Sequence, residues 1–427
     1  MKAFFVLWLT QSLSALGSAM TGFALILWVY EQRGTVTSIT LLSFFTFLPS
    51  ILFCFMAGAI SDRWDKRRIM LFSDLFAAMG TLTVLVLHSR GALRTQHLYA
   101  VNFAISLMNA FQSPASSVAV SQLAPKEQYN RVSGMQAFSG ALVNVLTPAL
   151  ATALLAFGGL SVVLIVDLAT FIQAFLALLL FIRLPATCEE SAKRESFRRS
   201  LAGGLRFLRD NKALLKMILF FALINFYAYL TGYSILPALI LARTGGDNAA
   251  MGMVTSSVGV GTLLGSVAAA IAKPPKSRTR VVFAACALSF LFCDIPLAFG
   301  RSTPMWVAAA VIGFLPVPFI GTNLTSIMRL NVPLDMQGRV FSARDTLQYS
   351  TIPLGYLLSG LLADNVFEPL MSSPSALQRA LAPLVGSGKG AGMAAMFLIT
   401  GVLGVVSNLL ALRSRGFKVL DGEGSAP

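Results

Sequence analysis

The sequence predicts an all-α polytopic membrane protein of twelve transmembrane helices, arranged as two pseudo-symmetric six-helix halves. Three observations predict it. The 427 residues are 56% apolar and only 12% charged, about half the charged share of an ordinary water-facing chain. The charges are gathered between long apolar runs, and about 20 apolar residues cross a hydrocarbon core. One stretch of the first half also repeats in the second.

The apolar runs fall at 4–29, 38–60, 69–88, 98–119, 132–156, 159–183, 213–241, 249–272, 281–299, 304–328, 341–363 and 391–412. The first run has no small-residue cleavage site after it, so it reads as a span and not as a removable signal. Gly158-Gly159 makes a tight turn between the fifth and sixth spans. The loop at 184–212 is the longest basic connection and divides the chain. The halves are therefore 1–183 and 213–412, with a tail at 413–427. Within the loop, Phe197, Leu201, Leu205 and Leu208 are spaced by four, four and three, among Arg198, Arg199, Arg206 and Arg209. That pattern predicts an amphipathic helix lying on the inner leaflet.

The net charge of +15 is read through topology. In a soluble chain it would suggest nucleic acid; here no nucleic-acid partner is expected. With the N-terminus inside, most of the 33 basic residues fall in inner loops and the tail, as the positive-inside rule requires. Both termini are then cytoplasmic and the number of spans is even. The four cysteines have no metal or disulfide spacing, and no cofactor or metal is expected.

The repeat aligns residues 111–132 with 319–340 without gaps. Phe111, Pro125, Glu127, Arg131 and Val132 fall on Phe319, Pro333, Asp335, Arg339 and Val340. Each block joins the fourth and fifth spans of its half, as duplicated transporter halves would leave behind.

Residues 58–70, GAISDRWDKRRIM, carry the pattern G-x-x-x-D-R followed by a basic cluster. Gly58, Asp62, Arg63, Arg67 and Arg68 provide the match, which resembles the loop signature of the major facilitator superfamily. The first two spans resemble the drug-efflux branch of that family, which contains macrolide exporters and the enterobactin-type siderophore exporter. So do LAGGLRFLRDNKALL at 201–215, VPLDMQGRVFS at 332–342 and PLGYLLSGLLAD at 353–364. The resemblance covers nearly the whole chain and implies the major facilitator fold in a bacterial inner membrane. It also implies export driven by a proton gradient. The chain departs from the pattern twice. Thr147-Pro148-Ala149-Leu150-Ala151 stands where a glycine-rich antiporter motif belongs. The second-half copy of the loop signature, at 265–280, keeps Gly265 and its basic cluster but has lost the acidic residue.

Polar residues at helical spacing mark a substrate cavity, because polar groups facing lipid are costly. Gln11 in the first span, Asn102 and Asn109 in the fourth, Asn225 and Tyr229 in the seventh and Asn323 in the tenth are the candidates. The alternative is that they hold helices together. Aromatic neighbours and the near absence of fixed charge in the spans, with no buried Arg or Lys, point to a bulky amphipathic substrate. Acidic residues inside spans are functional candidates, so Asp294 and Asp167, with Glu31 at an outer end, are the proton-coupling candidates. Gly58, Asp62, Arg63, Arg67 and Arg131 on one side, and Asp335, Arg339 and Asp345 on the other, are expected to form a cytoplasmic gate. Prolines 49, 148, 237, 296, 316, 318 and 353 are expected to bend their helices. No zinc-protease, nucleophile-elbow or P-loop motif is present, so an enzyme is not expected. The residues alone leave export and import open, as well as a membrane protein that does not transport. A monomer is expected.

Overall fold

A computed structural model describes residues 2–123, 128–182, 197–333 and 336–421; side chains at 54–63 and 197–202, among a few others, fall outside the described set. Among the described residues every regular element is helical. Length and composition alone qualify nine stretches of the described residues as membrane spans. The remainder of the twelve are spans broken into pieces, spans merged across a kink, or a more polar helix.

The chain forms two compact units, Met1–Gly34 with Leu41–Arg194 and Thr35–Thr40 with Glu195–Pro427. The first contains α1 (Lys2–Arg33), α2 (Val36–Arg63), α3 (Lys66–Ser89), α4 (Thr95–Leu123) and α5 (Tyr129–Leu180). α5 comprises two spans, because Gly158 and Gly159 leave helical geometry. Gly159 has φ 68° and ψ −168°, a conformation essentially reserved for glycine. The turn expected from the Gly-Gly pair is therefore present. Asp65 caps α3, accepting from the backbone N–H of Arg67 and Arg68. Leu7, Met70, Ala115, Ala119 and Leu178 meet in the interior of this unit.

The second unit begins with α6 (Phe197–Asp210), followed by α7 (Lys212–Leu230), α8 (Leu236–Thr244) and α9 (Asn248–Ile271). Then come α10 (Arg278–Phe292), α11 (Asp294–Phe299), α12 (Thr303–Phe314), α13 (Val317–Asn331), α14 (Gln337–Tyr349) and α15 (Ile352–Leu362). A π-turn at Ala363–Phe367 and the short α16 (Glu368–Ser372) and α17 (Ala376–Val385) lead to α18 (Ala391–Arg413) and α19 (Arg415–Lys418). A helix spans the predicted stripe, and the two stripe residues whose side chains are described differ in burial. Leu208 is fully buried and Leu205 is exposed, because Gly204 lies directly against the backbone of Arg339 in α14. α6 is thus partly a packing element of its own unit.

Four spans of this unit are interrupted: α7/α8, α10/α11, α12/α13 and α14/α15. Pro237, Pro316, Pro318 and Pro353 sit at or just after the breaks, where a missing N–H and a ring clash stop a helix. Pro49 and Pro148 instead lie inside unbroken helices. Breaks therefore accompany most of the second-half prolines, while the helix runs on through those two.

α9 and α12 pack backbone to backbone. A Cβ on Gly261 or Gly265 would overlap the carbonyls of Val311 or Leu315, the close approach that small residues allow in membranes. The tail closes over one end of the unit. Phe417 packs on Phe283 at 4.9 Å between ring centroids. Asp421 accepts from Ser277 Oγ (2.6 Å), Arg278 N (2.8 Å), Thr279 N (3.1 Å) and Thr279 Oγ1 (2.5 Å). The second copy of the loop signature lacks an acid in its own loop; the tail supplies one at the start of α10. Large apolar side chains remain outside, with Phe157 86% and Ile271 81% exposed. Such a surface is stable only against lipid.

Candidate functional site

Each unit holds a cavity of its own. The cavity of the first unit, about 380 Å³, is lined by Trp8, Gln11, Ser12, Ser116 and Asn144 with apolar neighbours. Gln11 thus lies on the wall of this cavity. Its amide also donates to Asp74 Oδ2 at 3.2 Å, while Gln112 donates to Asp74 Oδ1 at 2.6 Å. Asp74 is therefore a buried acceptor that joins α1, α3 and α4.

The cavity of the second unit, about 290 Å³, is enclosed by α7, α10, α11, α13 and α14. Its polar wall comprises Asn225, Tyr233, Asp294, Thr325, Arg344 and Gln348. Phe221, Phe290 and Phe314 form much of the apolar remainder. Asn225 is half-buried and donates to the Gln348 carbonyl at 3.0 Å, tying α7 to α14 across the cavity wall. Tyr229 stacks on Tyr233 at 4.7 Å and meets Tyr356 edge-on at 5.3 Å. Tyr233 meets Phe314 edge-on at 5.9 Å. Such offset and edge contacts are the favoured aromatic geometries.

Asn102, Asn109 and Asn323 do not line either of these two cavities. Asn102 turns back to Leu98 O and Asn323 to Phe319 O, each at one helical turn. Asn323 is buried, consistent with a helix-packing role. Asn109 is exposed.

The expectation that no basic residue is buried in the spans needs correction. Arg344 lines the cavity with its side chain 14% exposed. It donates through Nε and Nη2 to Asp345 Oδ1 at 2.9 and 2.7 Å, and it covers the Phe341 ring at 5.1 Å. The apolar run read at 341–363 has Arg344 in its first turn. α14 instead starts at Gln337, so Arg344 is two turns in, where its neighbour neutralises it. Asp345, an expected gate residue, is already engaged in this pair.

Arg67, also expected at the gate, binds within its own unit. It donates to Leu178 O at 3.3 Å and Leu179 O at 2.6 Å, satisfying the last carbonyls of the sixth span. Arg131 is exposed and Arg339 half-buried. The side chains of Gly58, Asp62 and Arg63, and the whole of Asp335, lie outside the described residues.

The proton-coupling candidates separate clearly. Glu31 is exposed. Asp167 is 1% exposed and holds three hydroxyls: Thr21 at 2.8 Å, Thr81 at 3.2 Å and Ser18 at 3.3 Å. It knots the first, third and sixth spans together, away from the lining of the first cavity. Asp294 is 7% exposed, lines the second cavity and accepts from Thr231 at 3.2 Å. Thr231 in turn contacts Thr400 of α18 at 3.0 Å. Thr231 and Thr400 were not legible as site residues; the only hint was Thr231-Gly232 at the point where the seventh span breaks.

Discontinuous helices around a cavity, with carboxylates buried among apolar helices, are features that secondary transporters share. A profile of the Major Facilitator Superfamily matches residues 7–356. The chain belongs to this superfamily. It is a multi-pass membrane protein and a secondary transporter. It is 25% identical over 371 residues to macrolide efflux protein A of Streptococcus pyogenes, covering 85% of this chain and 90% of that one. It is 24% identical over 346 residues to the multidrug efflux pump Tap of Mycolicibacterium fortuitum, covering 79% and 83%. In fold it is similar to a variant of the nucleoside transporter NupG, with a TM-score of 0.74 at 11% identity over 96% and 100% of the two chains. It is also similar to a bacterial homologue of the lysosomal transporter Spinster, with a TM-score of 0.66 at 15% identity over 99% and 96%.

Proposed function

We propose that this transporter exports a bulky amphipathic compound, a macrolide-like drug or a siderophore-like metabolite, in exchange for protons and by alternating access. The carrying observation is the second-unit cavity. Its aromatic walls, one amide pair and an internally neutralised arginine suit an apolar portion of such a compound with a few hydrogen-bonding groups, about 290 Å³ being room for a part of it. A small anion would meet Arg344 already paired, and a sugar would find few acceptors. The efflux relatives support the direction of transport. The distribution of Lys and Arg supports cytoplasmic termini, and the secondary-transporter fold supports the proton gradient as the energy source. The protein works as a monomer in the lipid bilayer of a bacterial inner membrane.

The test is accumulation of labelled macrolides and catecholate siderophores in cells with and without the protein. Lower accumulation that a protonophore abolishes is the expected result. Equal accumulation of the whole panel, in cells where the protein is shown to be inserted, refutes the substrate class. Higher accumulation refutes export.

A further inference from the structure

Three carboxylates are buried within the described membrane helices, and their surroundings differ in kind. Asp74 receives two amides, one on each oxygen. Asp167 receives three hydroxyls shared between both oxygens. Neither lines a described cavity. Asp294 accepts from one side chain, Thr231, and forms part of a cavity wall. It also stands at the break between α10 and α11, opposite the break between α7 and α8.

Thr231 is fully buried and caps α7 as the first residue past its end, where the span loses its helical path, with φ −128° and ψ −71°. Its hydroxyl has three neighbours: Tyr227 O at 3.2 Å, Asp294 Oδ1 at 3.2 Å and Thr400 Oγ1 at 3.0 Å. A hydroxyl donates one hydrogen bond at a time. Thr400 has its own acceptors in Met396 O at 2.9 Å and Phe397 O at 3.3 Å. The Thr231 proton must therefore choose, and the charge of Asp294 decides the choice. An ionised Asp294 is acceptor-only and draws the Thr231 proton, which leaves the Tyr227 carbonyl without it. A protonated Asp294 donates to Thr231 Oγ1, and the Thr231 proton turns to Tyr227 O, closing the last turn of α7.

Resting on the proton-exchange reading above, we propose that Asp294 carries the coupling proton and that Thr231 is the positioning residue that transmits its state to the break in the seventh span. Gain of one proton at Asp294 reverses one hydrogen bond and adds another at the end of α7. Loss of the proton into the cavity undoes both. Tyr229 and Tyr233 flank this break, and Tyr233 is a cavity residue, so the same break positions the aromatic wall. Titratable groups that face Asp294 are Tyr233 from the interrupted seventh span and Cys293 beside it, with Tyr349 and Arg344 of α14 on the same cavity. α18 presents Thr400 and Gly401, which do not titrate.

The experiment is pH-difference infrared spectroscopy on the purified full-length protein in lipid, following the C=O band of protonated carboxyl groups. It needs no transported ligand. Glu368 and the exposed carboxylates add bands of their own, so the signal is the titrating component that distinguishes the wild type from Asp294→Asn; it is expected to persist in Asp167→Asn and in Asp74→Asn. Thr231→Val removes a donor to the anion, so the midpoint moves to higher pH by about one unit. Thr231→Ser restores the wild-type midpoint, which a merely structural role would not require. If Asp294→Asn fails to fold, the Thr231 pair still decides the matter. A wild-type pH-difference spectrum in Asp294→Asn, or a wild-type midpoint in Thr231→Val, overturns the proposal. Protonophore-sensitive export by a protein whose Asp294 is silent overturns this inference alone. A titrating Asp294 in a protein that exports nothing supports this inference and refutes only the proposed export.

Discussion

Replacing Asp167 tests whether the first unit uses its buried carboxylate for cohesion. Three hydroxyls from two other spans converge on it at 2.8, 3.2 and 3.3 Å, and Gly17 of α1 lies directly against it. Side-chain hydrogen bonds between membrane helices contribute about 0.6 kcal/mol each on average and about 1.7 at most. Asp167→Leu removes all three and should cost about 2–5 kcal/mol. Asp167→Asn keeps one acceptor oxygen, which Thr21 and Thr81 can share at Oδ2, and should cost about 1 kcal/mol. The assay is unfolding of the purified protein in mixed micelles by added SDS, followed by circular dichroism. Asp167→Leu as stable as wild type would refute the cohesion argument. A well-folded Asp167→Asn that has lost proton-dependent transport would move the coupling site into the first unit.

Asp421→Ala should expose the start of α10, at a cost of about 1–2 kcal/mol, the range of a lost helix cap. Hydrogen exchange is expected to quicken at residues 278–281 and to stay unchanged at the start of α3, which Asp65 caps. Glu368, in the connection after α15, is raised above the ordinary carboxylate range by burial, with the backbone N–H groups of Met393 and Gly390 opposing. The folded chain therefore binds this proton more readily than the unfolded chain. The stability it contributes is present below the unfolded value and is lost as pH rises through the folded one. Glu368→Gln should flatten that slope in thermal unfolding across the mildly acidic range; an unchanged slope would contradict it.

The sequence by itself determined the membrane fold. Apolar runs separated by basic loops admit few other structures, since only helices satisfy their own backbone in lipid. The Gly158-Gly159 turn and the breaks at Pro237, Pro316 and Pro353 were legible for the same reason, because backbone chemistry is local. The repeat at 111–132 and 319–340 also had structural meaning: Val132 and Val340 are both buried. Periodicity shows which residues share a face of a helix; it does not show what that face meets. Asn102 and Asn323 lie at cavity-like spacing yet bond their own helices. Arg67 meets the end of the sixth span, over a hundred residues away. The two carboxylate junctions show this most clearly. Each joins the first, third and sixth spans of its half, but the acid stands on the sixth span in one half and on the third in the other. No alignment of the halves pairs Asp167 with Asp294. The tertiary structure alone decided that one is closed in by hydroxyls and the other opens on a cavity, because burial and hydrogen-bond partners come from helices distant in the chain.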